Sequence, residues 1–250
     1  MIDHTFTKRA DVLVFGAHPD DLEIGVGGLL IRATELGLSV ALCDLTAGER
    51  GTRGTPQIRR AEALEAAEVL GAGSRGCLGL PDAELVDDPI ARRAVARVIR
   101  SVRPRFILGP CETDLHPDHR ATARLVQAAC FVAGLKNHEG LDGRAHRPEQ
   151  CWSYLGLPRQ GSGWVEVTQV VDVSPVYERK LQAVRCHRSQ LVEPEREGSS
   201  RSAGGPHPLE RMDARDRFYG AQLGVRFGEP LMAGGPSELK LDGWLPPNAP

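Results

Sequence analysis

Short apolar runs typical of buried strands alternate with longer helical patterns through the first half of this chain. The strand-like runs lie at residues 12–16, 40–45, 77–78 and 106–109, and the helical patterns cover 27–36, 56–70, 89–102 and 120–133. Strands that alternate with helices of this length predict βαβ crossovers, and hence a mostly parallel sheet covered on both faces. The predicted fold class is therefore α/β, a Rossmann-like three-layer sandwich.

The pattern becomes less regular after Gly134, where we expect a C-terminal α/β extension. This extension contains strand-like runs at 151–157 and 165–171 and helical patterns at 176–186 and 209–223. Residues 193–208 are rich in Gly, Ser, Pro and charged side chains, which predicts a mobile loop. We interpret residues 1–250 as a single domain, with a Rossmann-like core over 10–134 and the extension over 135–250.

Composition and charge limit the functions open to this chain. Its 31 Lys and Arg residues against 33 Asp and Glu residues give a formal net charge of −2, so neither nucleic acid nor an anionic membrane is an expected partner. Residues 1–10 lack the apolar core of a signal peptide, and no later stretch approaches roughly 20 apolar residues, so we expect a cytoplasmic protein. The six cysteines include no Cys-x-x-Cys pair and are expected to be reduced thiols, most of them buried.

Two groups of polar side chains follow predicted strands, at the point where each strand ends. The first group is His18-Pro19-Asp20-Asp21, and the second covers residues 114–119 with the sequence Asp-Leu-His-Pro-Asp-His. Because the carboxyl ends of parallel strands share one edge of a sheet, we expect both groups in one crevice. Imidazole and carboxylate are both zinc ligands, and catalytic zinc typically takes three protein ligands and a water. We expect His18, Asp21 and His119 to form such a site.

The neighbouring polar residues are then available for proton transfer. Asp20 is expected to accept a proton from metal-bound water, whose pKa the cation lowers. His116 is expected to stabilise the oxyanion or to protonate the leaving group, with Asp118 orienting His116. The predicted reaction is a metal-assisted hydrolysis of an acyl bond. The histidines at positions 4, 138, 146 and 187 lack such neighbours and are interpreted as surface or core residues.

Other interpretations stay open at this point. A single His-Pro-Asp turn is typically an ordinary helix start, and only the occurrence of two such groups favours a site. A non-catalytic Rossmann-like sugar-binding or nucleotide-binding protein would use the acidic loops for a structural cation, although the glycines that start at Gly25 have Leu30 where the G-x-G-x-x-G pattern needs its last glycine. Phosphoester hydrolysis needs more positive charge near the metal, for which the candidates are Arg50, Arg53 and Arg59.

Residues 16–25 together with 116–119 resemble the PIG-L/LmbE family of zinc-dependent N-acetylglucosaminyl deacetylases, and both motifs match without a gap. Further matches lie at 43–46, 54–59, 80–82 and 214–220, so the resemblance covers most of residues 10–230. Within the family the chain is most similar to the bacillithiol branch, which removes acetate from N-acetylglucosaminyl malate. The resemblance implies a small-molecule substrate of this kind and a homo-oligomer, with a hexamer as the indicated form.

The resemblance also implies the metal ligands and the general base named above, with one zinc ion per subunit. It makes Arg59 a candidate for substrate binding, because a guanidinium fork suits a carboxylate such as that of malate; the alternative for Arg59 is a solvated helix charge. Asp82, in the Leu-Pro-Asp match, is a second candidate for substrate binding. Leu115 stands where the bacillithiol enzymes carry Arg, which keeps a general N-acetylglucosamine or chitooligosaccharide deacetylase as the alternative.

Overall fold

A computed structural model of the protein describes residue 6 and residues 9–157, 165–191 and 207–233. The strands in this part of the chain are β1 (Val12–Gly16), β2 (Val40–Asp44), β3 (Ser74–Cys77), β4 (Phe106–Pro110), β5 (Gln150–Tyr154), β6 (Gln169–Asp172) and β7 (Gly228–Ala233). The α-helices are α1 (Asp21–Glu35), α2 (Pro56–Leu70), α3 (Pro89–Val102), α4 (Pro117–Ala133), α5 (Tyr177–Arg185) and α6 (Pro208–Leu223). A short 3-10 helix, Ser174–Val176, precedes α5.

All described strands belong to one sheet with the order β3-β2-β1-β4-β5-β7-β6. The pairs from β3 to β5 are parallel, and Val14 of β1 lies opposite Leu42 on one side and Leu108 on the other. Strand β7 runs antiparallel to both β5 and β6. The α/β class and the mostly parallel sheet are therefore confirmed, and the extension continues the sheet of the core.

Helices cover both faces of the sheet, because alternate residues of each buried strand point to opposite sides. Leu13 and Phe15 of β1 pack into a cluster with α3 and α4. Val12 and Val14 pack into a second cluster with α1 and α5. Burial of each side chain of this size stabilises the fold by roughly 1.5–3 kcal/mol. These two layers hold the strand ends, and with them the loops that follow β1 and β4, in fixed positions.

Helix α1 begins at Asp21, whereas the sequence predicted a start at residue 27. Two glycines of this helix allow close packing against neighbouring side chains. A Cβ atom at Gly25 would lie 2.5 Å from the ring of Tyr154, and one at Gly28 would lie 2.6 Å from Val173. The helix is irregular at Val26, with φ −141° and ψ 20°. The early start places Asp21 in the first turn of α1, directly at the carboxyl end of β1.

Strand β7 was not predicted from the sequence, since Glu229 and Pro230 are unusual in a buried strand. Glu229 is fully buried here because the backbone N–H groups of Gly28 and Leu29 donate hydrogen bonds to its carboxylate, at 2.8 and 2.7 Å. Apart from residues 207 and 208, the loop predicted over 193–208 lies outside the described residues. Within the described part of the chain, no helix has the length and apolar character needed to cross a membrane.

The six cysteines are all free thiols. Cys43, Cys111 and Cys186 are buried, and the other three are partly exposed, so half of the set rather than most of it is buried.

The predicted bounds of α2 and α3 agree with the structure.

Candidate metal and active site

A cavity of about 490 Å³ lies at the carboxyl ends of β1 and β4. The loops that follow these two strands contribute His18, Asp20 and Asp21 from one side and His116 and His119 from the other. Because β1 and β4 are adjacent and parallel, both loops leave the sheet at the same edge. The structure therefore brings together the two sequence motifs, which are separated by about a hundred residues.

The three predicted metal ligands lie close together in the cavity, with the carboxylate of Asp21 near both imidazoles. Asp21 Oδ1 lies 3.1 Å from His119 Nε2, and Asp21 Oδ2 lies 3.6 Å from His18 Nδ1. One nitrogen from each of His18, His116 and His119 lies within 4.8 Å of the others. Two imidazole nitrogens and a carboxylate at this spacing are a donor set suited to a divalent transition metal such as zinc.

Carboxylates on the far side of each imidazole ring determine which ring nitrogen faces Asp21. His18 Nε2 lies 3.0 Å from Asp82 Oδ1 and 3.2 Å from Asp118 Oδ2. His119 Nδ1 lies 2.9 Å from Asp114 Oδ2. When these nitrogens donate their protons to the carboxylates, His18 Nδ1 and His119 Nε2 present their lone pairs to the centre of the site. Metal-binding histidines are typically oriented by such outer carboxylates.

The acidic surroundings also change the pKa values of these imidazoles. Burial lowers the pKa of His119, but the charge of Asp21 and the hydrogen bond to Asp114 outweigh it and raise the pKa to about 10. Burial opposes the same change at His18, where hydrogen bonds to Asp118, Asp21 and Asp82 raise the pKa to about 12. The site thus favours a positive charge at its centre, and a bound cation would supply that charge while displacing the two protons.

Asp20 lies beside the donor set and has a strained backbone, with φ 119° at the N-cap of α1. A positive φ is rare outside glycine, and strain of this kind is concentrated at functional sites. Burial and the neighbouring charge of Asp21 raise the pKa of Asp20 to about 6, against the opposing charge of Arg59. A carboxylate with a pKa just below neutrality is well suited to accept a proton at physiological pH.

Arg59 is 4% exposed, so its alternative interpretation as a solvated helix charge is wrong. Its Nη2 donates to the carbonyl oxygen of Pro19 (2.7 Å) and its Nη1 to that of Gly48 (3.1 Å), while Nη2 also lies 3.6 Å from Asp20 Oδ1. The guanidinium therefore fixes the loop that carries Asp20. It also lines the cavity, and its predicted contact with substrate stays a prediction.

Asp82 is also buried at the cavity wall, and its carboxylate is engaged by protein donors. The backbone N–H of Arg50 donates to Oδ2 (2.8 Å), and His18 Nε2 lies at Oδ1. This geometry favours orientation of His18 over the substrate contact that was expected of Asp82.

The expected pairing of the Asp118 carboxylate with His116 is wrong. The Asp118 carboxylate accepts hydrogen bonds from the backbone N–H groups of Ala83 (2.8 Å) and Leu85 (3.3 Å) and contacts His18 instead. His116 is held differently, because its Nδ1 accepts a hydrogen bond from the backbone N–H of Asp118 at 3.2 Å. Burial and the nearby histidines lower the pKa of His116. The neutral ring with a proton on Nε2 is a hydrogen-bond donor suited to an oxyanion.

Sequence reasoning missed two kinds of residue in this site. Asp114 lay within the second motif but received no role, although its contact with His119 makes it an orienting residue. His187 was interpreted as a surface or core histidine; it is 1% exposed, lies on the cavity wall, and has Nε2 3.2 Å from Glu23 Oε2. Glu23 in turn contacts Arg75, whose partner is Asp44. Nothing in the local sequence pattern around His187 indicates these contacts.

Comparisons with known proteins show which family the chain belongs to. The profile of the PIG-L family, described as GlcNAc-PI de-N-acetylase, matches residues 13–130. The chain is 33% identical to diacetylchitobiose deacetylase from Thermococcus kodakarensis over 77% of this chain and 74% of the relative. It is 30% identical to a probable N-acetyl-alpha-D-glucosaminyl L-malate deacetylase 2 from Bacillus cereus, over 72% and 83%. A conserved protein from Thermus thermophilus superposes with a TM-score of 0.81 at 38% identity, over 92% of this chain and 97% of that one.

The fold, the site and these relatives define an enzyme of the hydrolase class, an N-deacetylase. The chain belongs to the PIG-L family.

Proposed function

We propose that this enzyme is a zinc-dependent deacetylase of N-acetylglucosamine conjugates. The observation that carries the proposal is the convergence of His18, Asp21 and His119 beside the carboxylate of Asp20. The names of the relatives support the substrate class, since two of them are deacetylases of N-acetylglucosaminyl compounds. The cavity volume of about 490 Å³ lies in the range of small-molecule sites.

Zinc would be held by His18, Asp21 and His119, and it would supply Lewis-acid polarisation and a lowered pKa for water. Asp20, which lines the cavity next to Asp21, accepts the proton of the attacking water. His116 donates a hydrogen bond from Nε2 to the oxygen of the acetamide carbonyl as negative charge develops there. The proton held on Asp20 then passes to the departing sugar amine, so that acetate and a free amine are released.

The identity of the group attached to the sugar is a finer proposal. The malate conjugate of the bacillithiol pathway is our leading candidate, supported by the relative from Bacillus cereus. Leu115, which is exposed, takes the place of an arginine that would pair with malate, and the Thermococcus kodakarensis relative acts on diacetylchitobiose. A chitooligosaccharide is therefore the second candidate.

A substrate panel separates these candidates. Zinc-loaded enzyme is incubated with N-acetylglucosaminyl malate, diacetylchitobiose and free N-acetylglucosamine, and the primary amine released is measured together with acetate. A kcat/KM for the malate conjugate at least tenfold above the others supports the leading candidate, and the reverse order supports the second. Zinc-loaded enzyme that releases no acetate from any of the three contradicts the proposed function.

Asp20→Asn tests the proposed base, because asparagine tolerates the positive φ and keeps the shape while losing the carboxylate. We expect kcat to fall about 10²- to 10⁴-fold, the contribution typical of a positioned general base. The zinc content of the purified variant should stay at the wild-type value. Asp142→Asn, at an exposed position, is the matched control and should keep full activity. A variant at position 20 with more than a tenth of wild-type kcat would remove Asp20 from this role.

We also propose, from the family resemblance, a cytoplasmic homo-oligomer with a hexamer as the expected form. Size-exclusion chromatography with light scattering at micromolar concentration measures the mass directly. A peak at six times the monomer mass supports the hexamer, and a monomer at this concentration contradicts it.

A further inference from the structure

The guanidinium group of Arg215 joins two walls of the cavity. Arg215 lies on α6 and is 3% exposed. Its Nη1 donates to the carbonyl oxygens of Leu155 (2.6 Å) and Gly156 (3.1 Å), and its Nη2 donates to that of Ile24 (2.6 Å). Ile24 on α1 and Gly156 after β5 both line the cavity. One buried side chain thus fixes the spacing between α1 and the loop that follows β5.

A balanced group of buried charges holds this guanidinium in place. Asp216 Oδ1 accepts from Arg215 Nε at 2.9 Å, and Asp216 Oδ2 accepts from Lys180 Nζ at 2.5 Å. Lys180 Nζ also lies 2.7 Å from Glu229 Oε1. All four residues are at most 3% exposed, and two cations face two anions. Because each charge has a hydrogen-bonded partner, the network is stable in the interior and the arginine has a single orientation.

The loop held by Arg215 lies directly against Asp114, the hydrogen-bond partner of the proposed metal ligand His119. A Cβ atom at Gly156 would lie 2.8 Å from Asp114 Oδ2 and 3.8 Å from His119 Nδ1. The backbone at Gly156 therefore leaves no free space on that side of the Asp114–His119 pair. A shift of this loop would give Asp114 room to move away from His119.

We propose that Arg215 is a positioning residue for the metal site. It holds Gly156 against Asp114, so that Asp114 keeps its hydrogen bond to His119 Nδ1 and His119 Nε2 stays directed at the metal. The inference rests on the proposed function in one respect, the assignment of His119 as a metal ligand. It extends that function to a residue on α6, in the C-terminal extension and outside both metal-binding motifs.

Two substitutions test the connection between Arg215 and the metal site, one at Arg215 itself and one at Gly156, which contacts Asp114. Arg215→Lys keeps the charge but cannot reach three carbonyl oxygens with one ammonium group. Gly156→Ala leaves the charge network intact and pushes directly on Asp114. For each variant, zinc affinity is measured by competition with a chromophoric chelator, and the visible absorption of the cobalt-loaded protein reports the ligand geometry. Matched controls are Arg217→Lys, on the exposed side of α6, and Gly73→Ala, where the nearest atom to the new Cβ is at 3.6 Å.

We expect both test variants to bind zinc at least tenfold more weakly and to show a changed cobalt spectrum, as is typical when an outer partner of a metal-binding histidine is disturbed. The controls should match the wild type within twofold. Folded test variants with wild-type zinc affinity and spectrum would overturn the proposal. If Arg215→Lys does not fold by circular dichroism, Gly156→Ala tests only the contact with Asp114, and wild-type zinc affinity in that variant still overturns the proposal. Zinc affinity and the cobalt spectrum are measured without substrate, so they test the role of Arg215 even if the enzyme does not catalyse the proposed deacetylation.

Discussion

At the scale of single residues, position rather than chemistry separates the roles of the carboxylates in this site. Asp21 faces the centre between the two imidazoles, while Asp114 and Asp118 lie behind them and fix which ring nitrogen faces inward. The two compact motifs were sufficient to predict that His18, Asp21 and His119 lie close together, while their role as metal ligands stays a prediction. It could not show that Asp118 contacts His18, since that contact joins residues a hundred positions apart and depends on how two loops meet.

Glu23 shows how much a single buried charge contributes to stability. It is fully buried and contacts Arg75 and His187, so Glu23→Gln leaves the buried guanidinium of Arg75 with weaker compensation. We expect the free energy of unfolding at pH 7 to fall by about 3 kcal/mol, as is typical when one partner of a buried pair is removed. Urea unfolding measures this loss, and Glu139→Gln, at an exposed position, is the control.

The loss should depend on pH in a defined direction. Burial raises the pKa of Glu23, but the charges of Arg75 and His187 outweigh it and lower the pKa from 4.5 to about 2. A carboxyl group whose pKa is lowered in the folded state stabilises it fully above its unfolded pKa, and this contribution disappears as the pH falls through the folded pKa. The difference between wild type and Glu23→Gln should therefore shrink as the pH falls from about 5 toward 2. A difference that grows on acidification would contradict the assignment.

At the scale of elements, helix boundaries were predictable where capping residues mark them. Helix α3 begins after Asp88 and has Pro89 at its first position, and its predicted bounds agree with the structure. The start of helix α1 was predicted too late because Gly25 is a poor helix former in isolation, and its tertiary contact with Tyr154 is invisible in the local sequence.

The cap of α3 allows a direct test of this argument. Asp88 Oδ1 accepts hydrogen bonds from the backbone N–H groups of Ile90 (2.7 Å) and Ala91 (2.8 Å). Asp88→Ala should lower the free energy of unfolding by about 1 kcal/mol, the usual contribution of an N-cap. Asp88→Ser retains an acceptor oxygen and should recover most of that loss in urea unfolding experiments. Equal stability of the alanine and serine variants would show that the cap contributes nothing here.

At the scale of the whole molecule, the candidate metal site joins distant parts of one sheet. Its donors come from the loops after β1 and β4, and its outer wall comes from the loop after β5, which α6 holds from the other end of the chain. The order of the core strands follows from the alternating sequence pattern. The position of β7 does not follow from that pattern. The buried carboxylate of Glu229 is stabilised in this strand by its contacts with α1 and Lys180, which the local sequence does not show.

A bound metal should therefore stabilise the whole fold. Zinc at about a hundred times its dissociation constant should raise the free energy of unfolding by about 2.7 kcal/mol, because it binds the folded state selectively. For a protein of this size that corresponds to a rise in Tm of roughly 5–10 °C. Differential scanning fluorimetry of protein stripped of metal and then reloaded measures the shift, and a chelator should reverse it. An unchanged Tm at saturating zinc would contradict a site that bridges these elements.

The antiparallel strand β7 has a consequence for biosynthesis. It lies between β5 and β6, so β6 cannot join the sheet before residues 228–233 have been made. On the ribosome, the residues of β1 to β5, with His18, Asp21 and His119, are made before those of α6 and β7. The last of the described strands to be synthesised is therefore an internal strand of the sheet, and translation has to reach residues 228–233 before the edge formed by β6 can be completed.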